Sequence, residues 1–142
     1  MNKTKEIDLL NRLLQILYRS LPQYVEATRH DAVNGTDPVR PLLAGLAANQ
    51  QAYARQVADA ILEEGGPIEP GQFPIEFTAT NDLDLRFLLK KAVEAQKRDI
   101  TAIEKCATGL TPVPPLHALA EEILDNARRH LDMLEKEMSK DE

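Results

Sequence analysis

At the start of the chain, apolar residues recur with alternating spacings of three and four positions. This spacing is typical of a helix that packs within a bundle, and it predicts helix A from about residue 3 to residue 30. Pro22 lies inside the pattern. Because the apolar stripe keeps its phase across Pro22, we expect a kink near Tyr18 rather than a true break at which Ser20 would cap a second helix. The stripe consists of Ile7, Leu10, Leu14, Leu17, Leu21, Tyr24 and Thr28.

A second apolar stripe on helix A lies beside the first and contains Leu9, Leu13 and Ile16. A helix with two apolar stripes contacts more than one neighbour. The second stripe therefore indicates either the interface of a homodimer or a wide internal face of one bundle, and the pattern does not choose between them.

Three further helices follow, each bounded by residues that favour turns or caps. Asn34-Gly35 favours a turn, Asp37 is a good N-cap, and Pro38 suits a first helical position. Gly65-Gly66-Pro67 ends the second of the four helices. We predict helix B at about residues 38–64, helix C from Asn81 or Asp82 to about residue 107, and helix D at about residues 115–139.

The connection between helices B and C is long. Residues 65–80 contain three prolines and three glycines. A tight link between neighbouring helices needs only ~2–8 residues, so this segment can cross the length of a bundle and allow helix C to run parallel to helix B. The sequence predicts an all-α four-helix bundle with a long B–C crossover, in one domain of residues 1–142; an up-down-up-down bundle is the alternative. We expect the alternating apolar residues of the crossover to be buried: Ile68, Phe73, Ile75 and Phe77.

Composition and charge exclude several classes of function. Aromatic residues make up 4% of the chain and tryptophan is absent, so the core is expected to be aliphatic. The net charge of −6 argues against binding to nucleic acid or to an anionic membrane, because both need a basic surface. Cys106 is the only cysteine, which excludes an internal disulfide, fits a reducing cytoplasmic compartment and is expected to be a small buried residue. We expect neither a signal peptide nor a transmembrane segment.

Polar residues interrupt the inward faces of the predicted helices near their middles. Helix B carries Asn49 or Gln50 where a leucine would be usual, helix C carries Gln96, and helix D carries His130. Buried polar groups need hydrogen-bond partners. We therefore predict a neutral polar network in the core, made by Tyr24, Gln50, Gln96 and His130.

The segment of helix D with the sequence ILDNARRHLDMLEKE, residues 123–137, resembles the fourth helix of the bacterioferritins. Residues 10–14, followed at the expected distance by Gln23-Tyr24, resemble the opening of the same family. The resemblance implies a ferritin-like four-helix bundle of the bacterioferritin and rubrerythrin type. It also implies where the family's di-iron ligands would fall: Leu17, Asn49, Ala52, Gln96 (with Asp99 as a poorer fit), Ala127 and His130.

Only His130 among these six positions is a metal-binding residue type. Two iron ions need several carboxylates to balance their charge in a low-dielectric interior. The site is therefore degenerate, and we expect no bound metal, no cofactor and no catalytic residues.

Two hypotheses follow for function. The first is a non-catalytic ferritin-like bundle that acts as a binding, structural or accessory protein, as a homodimer or with another protein partner. The second is an oxidoreductase that binds a metal or small ligand at a rearranged site around His130, Tyr24 and Asp99. An iron-storage cage subunit is disfavoured, because the ligands are missing and little chain follows helix D for a fifth helix.

Overall fold

The computed structural model describes residues 1–29 and 37–140, and this part of the chain is helical without strands. A 3-10 helix at Ile75–Thr80 lies within the connection between the second and third long helices. The five α-helices are α1 (Lys3–Tyr18), α2 (Leu21–Thr28), α3 (Val39–Glu63), α4 (Leu85–Gly109) and α5 (Pro114–Ser139).

Two parts of the core show how the helices are oriented. One contains the C-terminal halves of α3 and α4 together with the N-terminal half of α5, as Ile61, Cys106 and Leu116 illustrate. The other contains the N-terminal halves of α3 and α4, as Leu43 and Leu89 illustrate, together with the end of α5. Helices α3 and α4 therefore run parallel. This confirms the predicted four-helix bundle with a long crossover between its second and third helices.

The first predicted helix is broken rather than kinked at Pro22, so our preference for a kink was wrong. Helix α1 ends at Tyr18 and α2 begins at Leu21. The Ser20 hydroxyl accepts a hydrogen bond of 3.4 Å from the Gln23 amide and caps α2. Pro22 lacks an N–H, and its ring would clash with the carbonyl of Tyr18 in a continuous helix. The apolar stripe keeps its three-four spacing across the break, because only two residues separate α1 from α2.

The crossover is fastened to α1 by polar side chains. The Asn11 side chain, 3% exposed, donates to the Pro67 carbonyl at 3.0 Å and accepts from the Glu69 amide at 2.7 Å. Further along, the Arg19 Nε donates to the Gly71 carbonyl at 2.9 Å. These bonds hold an otherwise irregular segment against the bundle.

Burial in the crossover follows the prediction only in part. Phe77 is 9% exposed and Phe73 packs against the core, but Ile75 is 83% exposed and Ile68 is 38% exposed. The expected alternation requires extended backbone, and the 3-10 helix that begins at Ile75 replaces it with a period of about three residues. This accounts for the exposure of Ile75. The expectation of burial was also wrong for Ile68, which precedes the 3-10 helix in irregular backbone.

Helix α4 begins later than predicted, because Asp84 caps it by accepting from the Phe87 amide at 3.0 Å. Asp37 lies just before α3 and accepts from the Val39 amide at 2.9 Å. The turn predicted at Asn34-Gly35 lies outside the described residues.

The second stripe of the first helix belongs to the interior. Leu13 is 0% exposed, Ile16 is 8% exposed, and Leu9 is half-buried against the core. The stripe thus forms part of the wide internal face that we considered. Within residues 1–29 and 37–140, no helix is both long enough and apolar enough to cross a bilayer.

Candidate functional site

A cavity of about 10 Å³ lies in the middle of the bundle, between α1, α3, α4 and α5. This volume is close to the minimum that holds one water molecule. The cavity is lined by four large apolar side chains, one alanine, three amides, one carboxyl group and one imidazole. The full lining is Ile16, Leu17, Gln50, Gln96, Asp99, Ile103, Ile123, Asn126, Ala127 and His130.

Gln50 anchors the break in the first helix to α3. Its Oε1 accepts from the Ser20 hydroxyl at 2.6 Å and from the Gln23 Nε2 at 3.4 Å. Gln23 also donates to the Ala47 carbonyl at 2.7 Å. All three side chains are buried. The Gln50 amide oxygen is therefore occupied by structural hydrogen bonds and is not a free ligand.

Gln96 joins α4 to α5. It is 3% exposed, and its Nε2 donates to the Ala127 carbonyl at 2.9 Å. A helix carbonyl has a second lone pair that can accept such an additional bond. Gln96 therefore fastens the two helices at the level of the cavity.

His130 is 5% exposed and makes no hydrogen bond to any of the residues that the structure describes. Burial, with a smaller contribution from the neighbouring Arg129, lowers the pKa of His130 from 6.5 to about 4. The imidazole is neutral at physiological pH. Its predicted bond to Gln96 is not formed, since that amide donates to Ala127 instead.

Of the residues that the structure describes, Asp99 is the one carboxylic acid on the cavity wall. It also lines two larger cavities on the outer surface, so its side chain lies between the interior and the solvent. Burial raises its pKa from 3.8 to about 7, against the lowering influence of Arg98 and Arg12. Asp99 therefore exchanges its proton near neutral pH.

The residues around the cavity do not fit a di-iron group. They supply one carboxyl group, one neutral imidazole and the three amides of Gln50, Gln96 and Asn126. Two iron ions would have too little negative charge around them and too little space. In the described part of the chain, no three His, Cys, Asp or Glu side chains are grouped so that they could hold a metal ion.

The structure brings together four of the predicted ligand positions, Leu17, Gln96, Ala127 and His130. On α3, the predicted ligand positions Asn49 and Ala52 are exposed, whereas Gln50 is 5% exposed. The residue that faces the cavity is therefore the one after Asn49. Each residue rotates a helix by about 100°, so a miscount of one turns a side chain from the core to the solvent. The inward residues of α3 are Leu43, Leu46, Ala47, Gln50, Ala54, Val57 and Ile61.

Tyr24 is not part of a network with His130, and this prediction needs correction. Its hydroxyl donates to the Asn81 Oδ1 at 2.6 Å. Its ring packs against Phe73 and Phe77 at centroid distances of 5.4 and 5.7 Å. Tyr24 therefore packs against the crossover rather than against the central cavity.

Sequence reasoning missed three buried polar residues at this level, Ser20, Gln23 and Asn126, which are 2%, 6% and 7% exposed. Ser20 was considered only as a cap. Asn126 lies four residues before His130 on α5, and this spacing places both on one helix face. The spacing could therefore have identified Asn126 as a buried residue from the sequence.

No known protein family matches this chain, and no curated protein matches it. Among solved structures, it is similar to a protein from Bacillus anthracis str. Ames that is described as belonging to ferritin like, diiron-carboxylate proteins. The two chains are 18% identical, the match covers 97% of this chain and 99% of the other, and the TM-score is 0.78. The similarity confirms the predicted ferritin-like fold.

Proposed function

We propose that this chain is a non-catalytic ferritin-like protein whose core is closed to metal, and that it acts as a binding, structural or accessory protein. The observation that carries the proposal is the central cavity of about 10 Å³, lined by one carboxyl group and otherwise by neutral side chains. In this fold the middle of the bundle is where di-iron ligands are held.

The neutral lining also has a structural role that supports the proposal. Gln50 is bonded to Ser20 and Gln23, and Gln96 is bonded to the Ala127 carbonyl. A metal ion that recruited the Gln50 Oε1 would displace the Ser20 hydroxyl and the Gln23 amide from it, and a buried polar group left without a partner costs about 1–3 kcal/mol. The core is thus built to be stable without an ion.

A second candidate is a site for one metal ion or a small ligand, used in redox chemistry. The observation in its favour is that Asp99 and His130 line the same cavity and that Asp99 also reaches the surface. Tyr24 takes no part in it, since its hydroxyl is bonded to Asn81.

One experiment separates the two candidates. The protein is produced in iron-rich medium, passed through gel filtration, and analysed for metals by mass spectrometry, beside His130→Leu and Asp99→Asn variants. We expect far less than one iron per chain in all three proteins. Iron bound at one or more ions per chain in the natural protein and lost in both variants would overturn the proposal in favour of the second candidate.

We further propose that the protein is a homodimer in a reducing, cytoplasmic environment. Phe87, near the start of α4, and Met133, near the end of α5, are 60% and 47% exposed and offer apolar area for association at that end of the bundle. Cys106 is reduced and buried. Light scattering during gel filtration gives the mass directly, and a monomer or a large cage would contradict the dimer.

A further inference from the structure

A groove runs along the outer side of α1 and α4, beneath the crossover. It consists of three adjoining cavities of about 580, 300 and 280 Å³. Arg98 lines all three, and Arg12 lines the two that lie toward the C-terminal end of α4. These two arginines therefore lie at the centre of one continuous depression.

The groove is rich in cations although the chain carries a net charge of −6. Lys91 is paired with Glu94 at 3.4 Å. Arg19 is held by the Gly71 carbonyl and lies over the ring of Phe73, 5.0 Å from its centroid. The remaining cations, Arg12, Arg98 and Lys105, have no ion pair and no hydrogen bond within the part of the chain that the structure describes.

The carboxylates of the groove are gathered toward its largest cavity. Glu76 and Glu94 line only that cavity, and Asp99 lines it and its neighbour. Among the described residues, the wall of the third cavity carries Arg12, Arg98 and Lys105 and no acid. A positive field is therefore left around Arg12 and Arg98.

The floor of the groove is apolar. Leu21, Phe77 and Ala95 are buried beneath the largest cavity. Ile16 and Ala102 continue this surface beneath the middle cavity. A pocket of this size with an apolar floor and a few charged groups is the usual form of a site for a small organic ligand.

We propose that this groove binds an amphipathic anion, with a carboxylate or phosphate head held between Arg12 and Arg98 and an apolar body on Leu21, Phe77 and Ala95. Guanidinium groups match the geometry of both heads and bind them with two parallel hydrogen bonds. The site is separate from the central cavity, and its occupancy does not depend on whether that cavity holds a metal.

Asp99 couples this binding to pH. An anion at Arg98 lies beside the Asp99 carboxyl group and disfavours its ionised form, so binding takes up a proton. Because burial raises the pKa of Asp99 to about 7, affinity is expected to fall as pH rises through neutrality. The other charged or titratable groups around Asp99 come from every neighbouring element: Arg12 from α1, Arg19 from the link between α1 and α2, Lys91, Glu94 and Arg98 from α4, Glu76 from the crossover and His130 from α5.

The test is titration calorimetry of the whole chain with decanoate, decyl phosphate, decanol and inorganic phosphate, at about pH 6 and about pH 8. We expect saturable binding of at least one of the two amphipathic anions and much weaker binding of decanol and of inorganic phosphate. The pH comparison is made with decanoate, which is ionised at both pH values, and its binding should be stronger at the lower pH; decyl phosphate changes its own charge between the two. Preference for one anion identifies the head group.

Variants locate the site. Arg98→Gln and Arg12→Gln should each weaken binding about tenfold, which is about 1.4 kcal/mol. Lys97→Gln is the matched control, because Lys97 is the neighbouring exposed cation on α4 and reaches Glu135 rather than the groove. Ala79→Trp fills the largest cavity from its exposed wall, leaves every cation in place, and should also weaken binding.

Several results would overturn the proposal. One is that neither amphipathic anion binds saturably. Another is that decanol or inorganic phosphate binds as tightly as its amphipathic counterpart. A third is that Lys97→Gln weakens binding as much as Arg98→Gln, since this would mean that net charge alone is responsible.

Discussion

His130→Leu should change how the stability of this protein depends on pH. The imidazole is 5% exposed, and burial lowers its pKa from 6.5 to about 4. In acid, the unfolded chain therefore binds a proton that the folded chain does not. Stability that depends on the neutral imidazole is complete above pH 6.5 and is lost as pH falls from 6.5 toward 4.

The two pKa values set the size of the effect. The whole shift corresponds to about 3 kcal/mol, because one pKa unit is about 1.4 kcal/mol. Between about pH 7.5 and about pH 5, the natural protein should lose about 2 kcal/mol that the leucine variant retains. At neutral pH the variant should be slightly the more stable, by about 1 kcal/mol, because leucine has no polar group to desolvate.

The assay is urea unfolding followed by circular dichroism, at several pH values between about 7.5 and about 5. Asp99 titrates in both proteins, so the difference between the two stability curves removes most of its contribution. His117→Leu is the matched control, because His117 is half-buried at the start of α5, with its Nδ1 2.8 Å from the Ala107 carbonyl oxygen. A stability difference between natural protein and His130→Leu that does not change with pH would refute the reasoning.

Two further predictions test the structural bonds around the cavity and the crossover. Gln50→Leu should lower the free energy of unfolding by about 1–3 kcal/mol in thermal or urea melts, because the buried Ser20 hydroxyl loses its acceptor and Gln23 keeps only the Ala47 carbonyl. Asn49→Leu on the exposed side should change it by less than about 0.5 kcal/mol, and equal effects of the two variants would contradict the inward position of Gln50. Asn11→Ala should speed proteolytic cleavage of the crossover severalfold, because its bonds to Pro67 and Glu69 are lost, and should leave the helical circular dichroism signal unchanged. An unchanged cleavage rate would show that these bonds do not hold the crossover against the bundle.

The sequence predicted the helices and their order well because the signals are local and repeated. The three-four spacing extends over many turns, and the glycines and prolines after α3 mark a connection too long for a hairpin. The parallel orientation of α3 and α4 followed from the length of that connection alone. These features do not depend on how any particular side chain packs.

The predictions that were wrong concern alternatives that the local sequence supports about equally. At Pro22, a kinked helix and a broken helix have the same apolar phase, and the bond from Ser20 to Gln50 on another helix favours the break. On α3, both Asn49 and Gln50 are compatible with a stripe through Leu46 and Tyr53. The packing of the neighbouring helices against α3, together with the bonds from Ser20 and Gln23, selects Gln50.

The parallel course of α3 and α4 divides the molecule into two antiparallel pairs, α1 with α3 and α4 with α5. Each pair joins segments that are close in sequence, so each can assemble with a small loss of loop entropy, and the crossover serves mainly to align one pair on the other. The chain therefore has a natural point of division within residues 65–84. Two separately produced halves that meet there would keep most of their native partners and could recombine as a complementing pair.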